Sequence, residues 1–235
     1  MENPLKTPRD NKALSIAQRR EDIINRMAAS AKQLGQMTLP DLVAVSKIQP
    51  DERVKAVIKT GQKIFGENRV QEAQSRWADT FKEARSDIEL RLIGPLQSNK
   101  AEEAAVLFDV IETLDREKLA RALAKAADKI GQLPRLYVQV NTGEEPQKSG
   151  IAPQSLSGFL KTLSSDYDIH PEGLMCIPPV GQAPSPHFWL LSKLAHDNGL
   201  EKLSMGMSGD YETAIEMGAT SVRVGSALFG ARDYN

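Results

Sequence analysis

Lys47 closes a short apolar run, Leu42-Val43-Ala44-Val45-Ser46-Lys47, which Pro50 then interrupts. A run this short, rich in valine and bounded by prolines, predicts a strand buried on both faces. Such a strand has no natural place for an ammonium group except at its C-terminal tip, where α/β proteins bind ligands. A lysine at that tip either reaches into water or faces a pocket. If burial or a neighbouring cation lowers its pKa, it becomes a nucleophile toward carbonyl compounds. Arg223 is a second charge in an unexpected setting. It stands between Val222 and Val224, so in a strand it points to the opposite face from both. A permanently charged guanidinium there needs a ligand or an internal carboxylate such as Glu67 or Glu112. Lys47 shares the parity of Val43 and Val45, so it too is placed on an inward face.

Two further stretches suit an anion. Ser204-Met205-Gly206-Met207-Ser208-Gly209-Asp210 lies between an apolar run and a helical pattern, and Gly225-Ser226 follows the last apolar run. Such loops can aim backbone N–H groups and a hydroxyl at a phosphate. The plainer reading is that the glycines only permit tight turns. A phosphate site beside a nucleophilic lysine suits a phosphorylated aldehyde. Pyridoxal 5′-phosphate (PLP) carries both groups, and a Schiff-base sugar-phosphate aldolase fits the same residues equally well.

The elements that must position these residues alternate along the whole chain. A long amphipathic pattern over Ser15 to Met37 predicts a leading helix. Strands are then expected at Leu42–Lys47, Lys63–Phe65, Ile88–Ile93, Phe108–Ile111, Leu136–Val140, Ile169–Met175, Leu200–Met205 and Thr220–Val224, with helices between them. Alternation of this kind specifies parallel strands with helical crossovers. A count of eight favours a closed (β/α)8 barrel over an open doubly wound sheet. In such a barrel the loops after the seventh and eighth strands often hold phosphate. Those are the two Gly-Ser stretches, and closure would bring the eighth strand, with Arg223, beside the first. No linker divides the sequence, so we expect a loose arm over residues 1–14 and one barrel over 15–235.

The 235 residues are 40% apolar and 26% charged, with 30 basic against 31 acidic side chains. Near-neutrality without a basic block excludes nucleic acid or an anionic membrane as the main partner. No apolar stretch is long enough to cross a bilayer, and Met1–Lys12 has no signal-peptide core, so a cytoplasmic protein is expected. The single cysteine, Cys176, excludes an internal disulfide and a cysteine-rich metal cluster. His170, His187 and His196 show no ligand spacing, so no metal is expected.

Taken together, Ala44-Val45-Ser46-Lys47, Phe65-Gly66-Glu67-Asn68 with Val70-Gln71-Glu72, and Ile93-Gly94-Pro95-Leu96-Gln97-Ser98-Asn99-Lys100 resemble the pyridoxal-phosphate homeostasis proteins. So do Val140-Asn141, Lys148-Ser149-Gly150, Gly173-Leu174-Met175, Leu203 to Ser208 with Asp210, and Arg223-Val224-Gly225 with Phe229-Gly230. The likeness runs from about Ser15 to Arg232. It implies a barrel like the N-terminal domain of alanine racemase, with Lys47 carrying PLP as a Schiff base. It also implies Arg223 facing the pyridine nitrogen, Ser208, Gly225 and Ser226 holding the phosphate, and Asn68 and Met205 lining the ring. The sequence departs from many relatives at Pro95, where they have histidine, and at Ser226, where they have threonine. The function implied is a PLP carrier, a monomer without turnover of its own, exchanging PLP with PLP-dependent apo-enzymes. The alternative is a racemase or decarboxylase of the same fold. Those enzymes use a second, β-rich domain, and we expect none in a chain that ends at Asn235.

Overall fold

The computed structural model describes residues 14–33 and 38–230. The expected arm falls outside them except for Leu14, as do residues 34–37 of the expected leading helix. That helix, α1, runs Ile16–Gln33 and buries Ile23, Met27 and Ala31. These residues recur every four positions, so they form one stripe. The stripe packs toward α8 (Tyr211–Glu216) and α9 (Ser226–Phe229), so α1 lies outside the barrel near its closure.

Eight parallel strands form the closed barrel. They are β1 (Asp41–Val45), β2 (Ile64–Glu67), β3 (Glu89–Leu92), β4 (Val110–Leu114), β5 (Arg135–Gln139), β6 (Gly173–Met175), β7 (Lys202–Met207) and β8 (Ser221–Val224). The remaining helices are α2 (Asp51–Lys59), α3 (Val70–Ala73), α4 (Ala101–Leu107), α5 (Glu117–Ile130), α6 (Leu156–Tyr167) and α7 (Ser185–Asp197). Among the described residues no helix is long and apolar enough to cross a membrane, and no group of three metal-ligating side chains converges.

The closing register decides which residues look inward. Val43 lies beside Arg223, and Ala44 beside Val224. Leu42, Ala44, Val222 and Val224 join the main apolar core, which also holds Phe65, Trp77, Leu123 and Leu203. The opposite parity, with Val43, Arg91, Glu112, Ser204 and Arg223, therefore faces the barrel axis. Val110, Tyr137 and Met175 form a small separate apolar cluster on that inner side.

Three expectations are corrected. The fourth strand runs on to Leu114 rather than stopping at Ile111, which carries Glu112 into the interior. The sixth begins only at Gly173, because Pro171 has no N–H to give a ladder. The helix after β2 keeps α-helical geometry only through Ala73 and continues as a π-helical stretch, Gln74–Thr80. Such π stretches are rare and concentrate at functional sites.

Candidate functional site

β1 ends at Val45, and Lys47 sits in the turn beyond it, half-buried. The parity argument for Lys47 therefore stops two residues short, since alternation has no meaning in a turn. The turn itself is tightly specified. Gln49 N–H donates to the Ser46 carbonyl at 3.0 Å, so Lys47 and Ile48 are its central residues. Ile48 has φ +58°, a left-handed conformation that is an outlier for a β-branched residue and costs about 1–3 kcal/mol. Neighbouring side chains hold the turn in place. Arg76 donates to the carbonyls of Ser46 and Gln49, both at 2.7 Å. Glu72 accepts the Ile48 N–H at 2.6 Å, and the Ser46 hydroxyl donates to Glu67 at 2.7 Å.

Glu67 faces away from the barrel axis. It is fully buried, and one oxygen accepts from Ser46, from Arg76 at 2.8 Å and from Trp77 at 3.2 Å. Burial pushes its pKa up, and the nearby Arg76 only partly offsets this. Glu67 is thus excluded as the internal partner of Arg223, which faces the other side of the sheet.

Arg223 is 3% exposed. It donates to Ser204 Oγ at 2.6 Å and to the Cys176 carbonyl at 2.8 Å. Ser204 Oγ in turn donates to Glu112 Oε2 at 2.6 Å, and that oxygen lies 3.9 Å from Arg223. Arg91 reaches the other Glu112 oxygen at 3.3 Å and also pairs with Asp41 and Glu89. The interior thus carries a charged column, and Glu112 supplies the internal carboxylate foreseen for Arg223. The Cys176 thiol beside it is pushed up to about 12 by burial.

The two Gly-Ser loops meet at one point. Ser208 Oγ accepts the N–H of Gly225 at 3.1 Å and of Ala227 at 3.3 Å. A Cβ at Gly225 would lie 3.5 Å from the Cβ of Val45, so this loop rests directly on the end of β1. Ser226 is exposed at the start of α9. With both N–H groups engaged by Ser208, the hydroxyls of Ser208 and Ser226 beside the Lys47 turn are the donors of the kind a phosphate oxygen takes. The residues present therefore fit a phosphorylated aldehyde, with the donors and the lysine on adjoining strand ends.

Met205 is not placed to line a ligand. Its side chain is fully buried in the core between sheet and helices. The register slips between Ser204 and Met207, and Gly206 takes φ +89°. Met205 faces the helices by plain alternation with Leu203, while the extra residue in β7 turns Met207, 42% exposed, to the Arg223 side at the tip. Met207 belongs to the same candidate loop, but the ring-lining role was expected of Met205; the glycine between them was the signal of a change in facing. Asn68 follows β2 and is half-buried. It lines a cleft of about 500 Å³ with Arg69, Gln71, Pro95, Gln97 and Lys100. Its backbone packs so closely on β3 that a Cβ at Gly94 would meet the Asn68 carbonyl oxygen at 2.3 Å. Pro95 is exposed in this cleft.

A family model for the alanine racemase N-terminal domain matches residues 24–233. The pyridoxal phosphate homeostasis protein of Vibrio cholerae is 38% identical over 94% of this chain and 98% of its own. Synechococcus elongatus PipY, whose structure was solved with PLP bound, superposes with a TM-score of 0.79 at 34% identity, over 92% of this chain and all of its own. An alanine racemase of Clostridium difficile shares the fold, with a TM-score of 0.65 at 15% identity, over 91% of this chain and 58% of that one. The chain belongs to the alanine racemase N-terminal-domain family and, within it, to the pyridoxal phosphate homeostasis proteins.

Proposed function

We propose that this protein binds PLP covalently through Lys47 and acts in PLP homeostasis as a cytoplasmic, monomeric carrier with no turnover of its own. The observation that carries the reading is the convergence of the Lys47 turn, the Ser208–Gly225 contact and buried Arg223 at the adjoining ends of β1, β7 and β8. The homologues' name and the PLP-bound PipY structure support it. When bound, PLP would supply an aldehyde, and a neutral Lys47 amine would be the group that condenses with it, forming C=N with release of one water. Ser208, Gly225 and Ser226 would hold the phosphate, and Asn68 and Met207 would border the ring. Arg223 would face the pyridine nitrogen and disfavour its protonation, because two cations would then be adjacent. That weakens the electron withdrawal on which racemases and decarboxylases depend, and a carrier has no need of it. PLP-dependent apo-enzymes are the proposed recipients.

The test is spectroscopic. The purified protein mixed with PLP is expected to develop a band near the visible edge, which borohydride removes while leaving label on Lys47. Lys47→Ala is expected to lose the covalent link and keep weaker binding through the phosphate loops. A protein that stays colourless and takes up no PLP sinks the reading. Turnover of amino acids by the loaded protein overturns the carrier part alone.

A further inference from the structure

The turn that presents Lys47 carries strain that its own contacts do not account for. Its second central residue, Ile48, occupies the left-handed region, and that side chain is 68% exposed. A glycine or asparagine is the ordinary occupant of such a position. The strained shape persists because groups from the segment after β2 fix it from outside. Arg76 bridges the two carbonyls on either side of Lys47 and Ile48, those of Ser46 and Gln49. Glu72 takes the N–H between them. Arg76 is itself held by Glu67 at 2.8 Å and Asp51 at 3.1 Å, and its side chain is only 10% exposed. It lies in the π-helical stretch, whose geometry lets two consecutive side chains, Arg76 and Trp77, reach the same Glu67 oxygen.

We propose that Arg76 and Glu72 are positioning residues for Lys47: they clamp the Ser46–Gln49 turn so that the lysine amine is presented in one geometry to an aldehyde held by the Ser208–Gly225 loops. The inference rests on the reading of Lys47 as the covalent anchor. Neither residue needs to touch the ligand. Their contribution is orientation, and a misplacement of about 1 Å at a reacting group can cost roughly 100-fold in rate.

The experiment is a mutant cycle on the full chain. Covalent capture of PLP is followed by absorbance and borohydride trapping in wild type, Arg76→Gln, Arg76→Lys and Glu72→Gln. Non-covalent PLP affinity is measured for the same changes in a Lys47→Ala background. Arg76→Gln leaves buried Glu67 without its cation and risks unfolding. Glu72→Gln removes only the carboxylate charge at a side chain 28% exposed, so it provides a variant that folds. The expected result is capture slowed roughly 10- to 100-fold by Arg76→Gln and by a smaller factor in Glu72→Gln, whose amide oxygen still accepts the Ile48 N–H but without the charge. Partial rescue is expected in Arg76→Lys, together with PLP affinity unchanged by any of the three in the Lys47→Ala background. Capture as fast as wild type in Glu72→Gln and Arg76→Lys overturns the inference. So does an equal loss of affinity when Lys47 is absent, because that marks a general structural role. If wild type itself forms no trapped adduct, the Lys47 reading falls and takes this inference with it; a wild-type adduct formed equally fast by the variants removes this inference alone.

Discussion

Glu112→Gln is the most informative single change to the barrel interior. Glu112 is fully buried and serves three groups: Arg91 at 3.3 Å, Ser204 Oγ at 2.6 Å and Arg223 at 3.9 Å. Removing one member of a buried ion pair costs about 3–5 kcal/mol, because the other charge is left uncompensated. The two arginines do not share that cost equally. Arg91 keeps Asp41 and Glu89. Arg223 keeps only neutral partners, Ser204 Oγ and the Cys176 carbonyl. One stranded guanidinium places the loss near the lower end, about 3 kcal/mol. For a chain of this size that is a fall in Tm of roughly 6–12 °C. Thermal unfolding followed by circular dichroism measures that shift, and urea unfolding measures the free energy. The cycle with Arg223→Met, which removes the stranded charge at similar length, is expected to show a coupling of at least about 1 kcal/mol. Additive effects, or a Glu112→Gln protein within about 0.5 kcal/mol of wild type, would refute the claim that Glu112 neutralises Arg223.

Ser208→Ala removes the hydroxyl on which the Gly225 and Ala227 N–H groups converge. Measured by PLP titration in a Lys47→Ala background, affinity is expected to fall about 10- to 100-fold, the worth of one charge-assisted hydrogen bond. Gly94→Ala drives a methyl group to 2.3 Å from backbone that cannot give way cheaply. Stability is expected to fall by about 1–3 kcal/mol with altered PLP binding through Asn68, and an unchanged urea midpoint would contradict it. Glu67 has a folded pKa raised by burial, so its contribution to stability is greatest below the ordinary glutamate pKa and is lost as pH rises through the raised value. Urea titrations from acid to neutral pH should therefore show wild type losing ground to Glu67→Gln as pH rises, and a difference that grows in the other direction contradicts the assignment.

The order of elements and the closed barrel were legible in the sequence because hydrophobic periodicity is local. Each apolar run reports its own burial, and alternation of runs with helical patterns leaves few topologies. The residue types of Ser208 and Gly225-Ser226 likewise marked them as turn residues after the last strands, and the structure brings the two loops into contact. Arg223 was legible as an inward charge because its two valine neighbours fixed its face. Other features depend on contacts between distant segments. Glu112, rather than Glu67, is the partner of Arg223 because the two glutamates lie on opposite faces of the sheet, and only the register between strands assigns faces. Met205 follows the alternation of Leu203 into the core, but Met207 comes to the Arg223 side only because the register slips around Gly206, which no count of alternating residues anticipates. The Lys47 turn shows the limit most plainly. The sequence by itself determined that a lysine follows a buried strand. Tertiary structure alone decided that the next residue is strained and that Glu72 and Arg76, 24 and 27 residues away from the groups they bind, hold it so. Strain of that kind is a property of the surrounding contacts, and it has no signature in the residues that bear it.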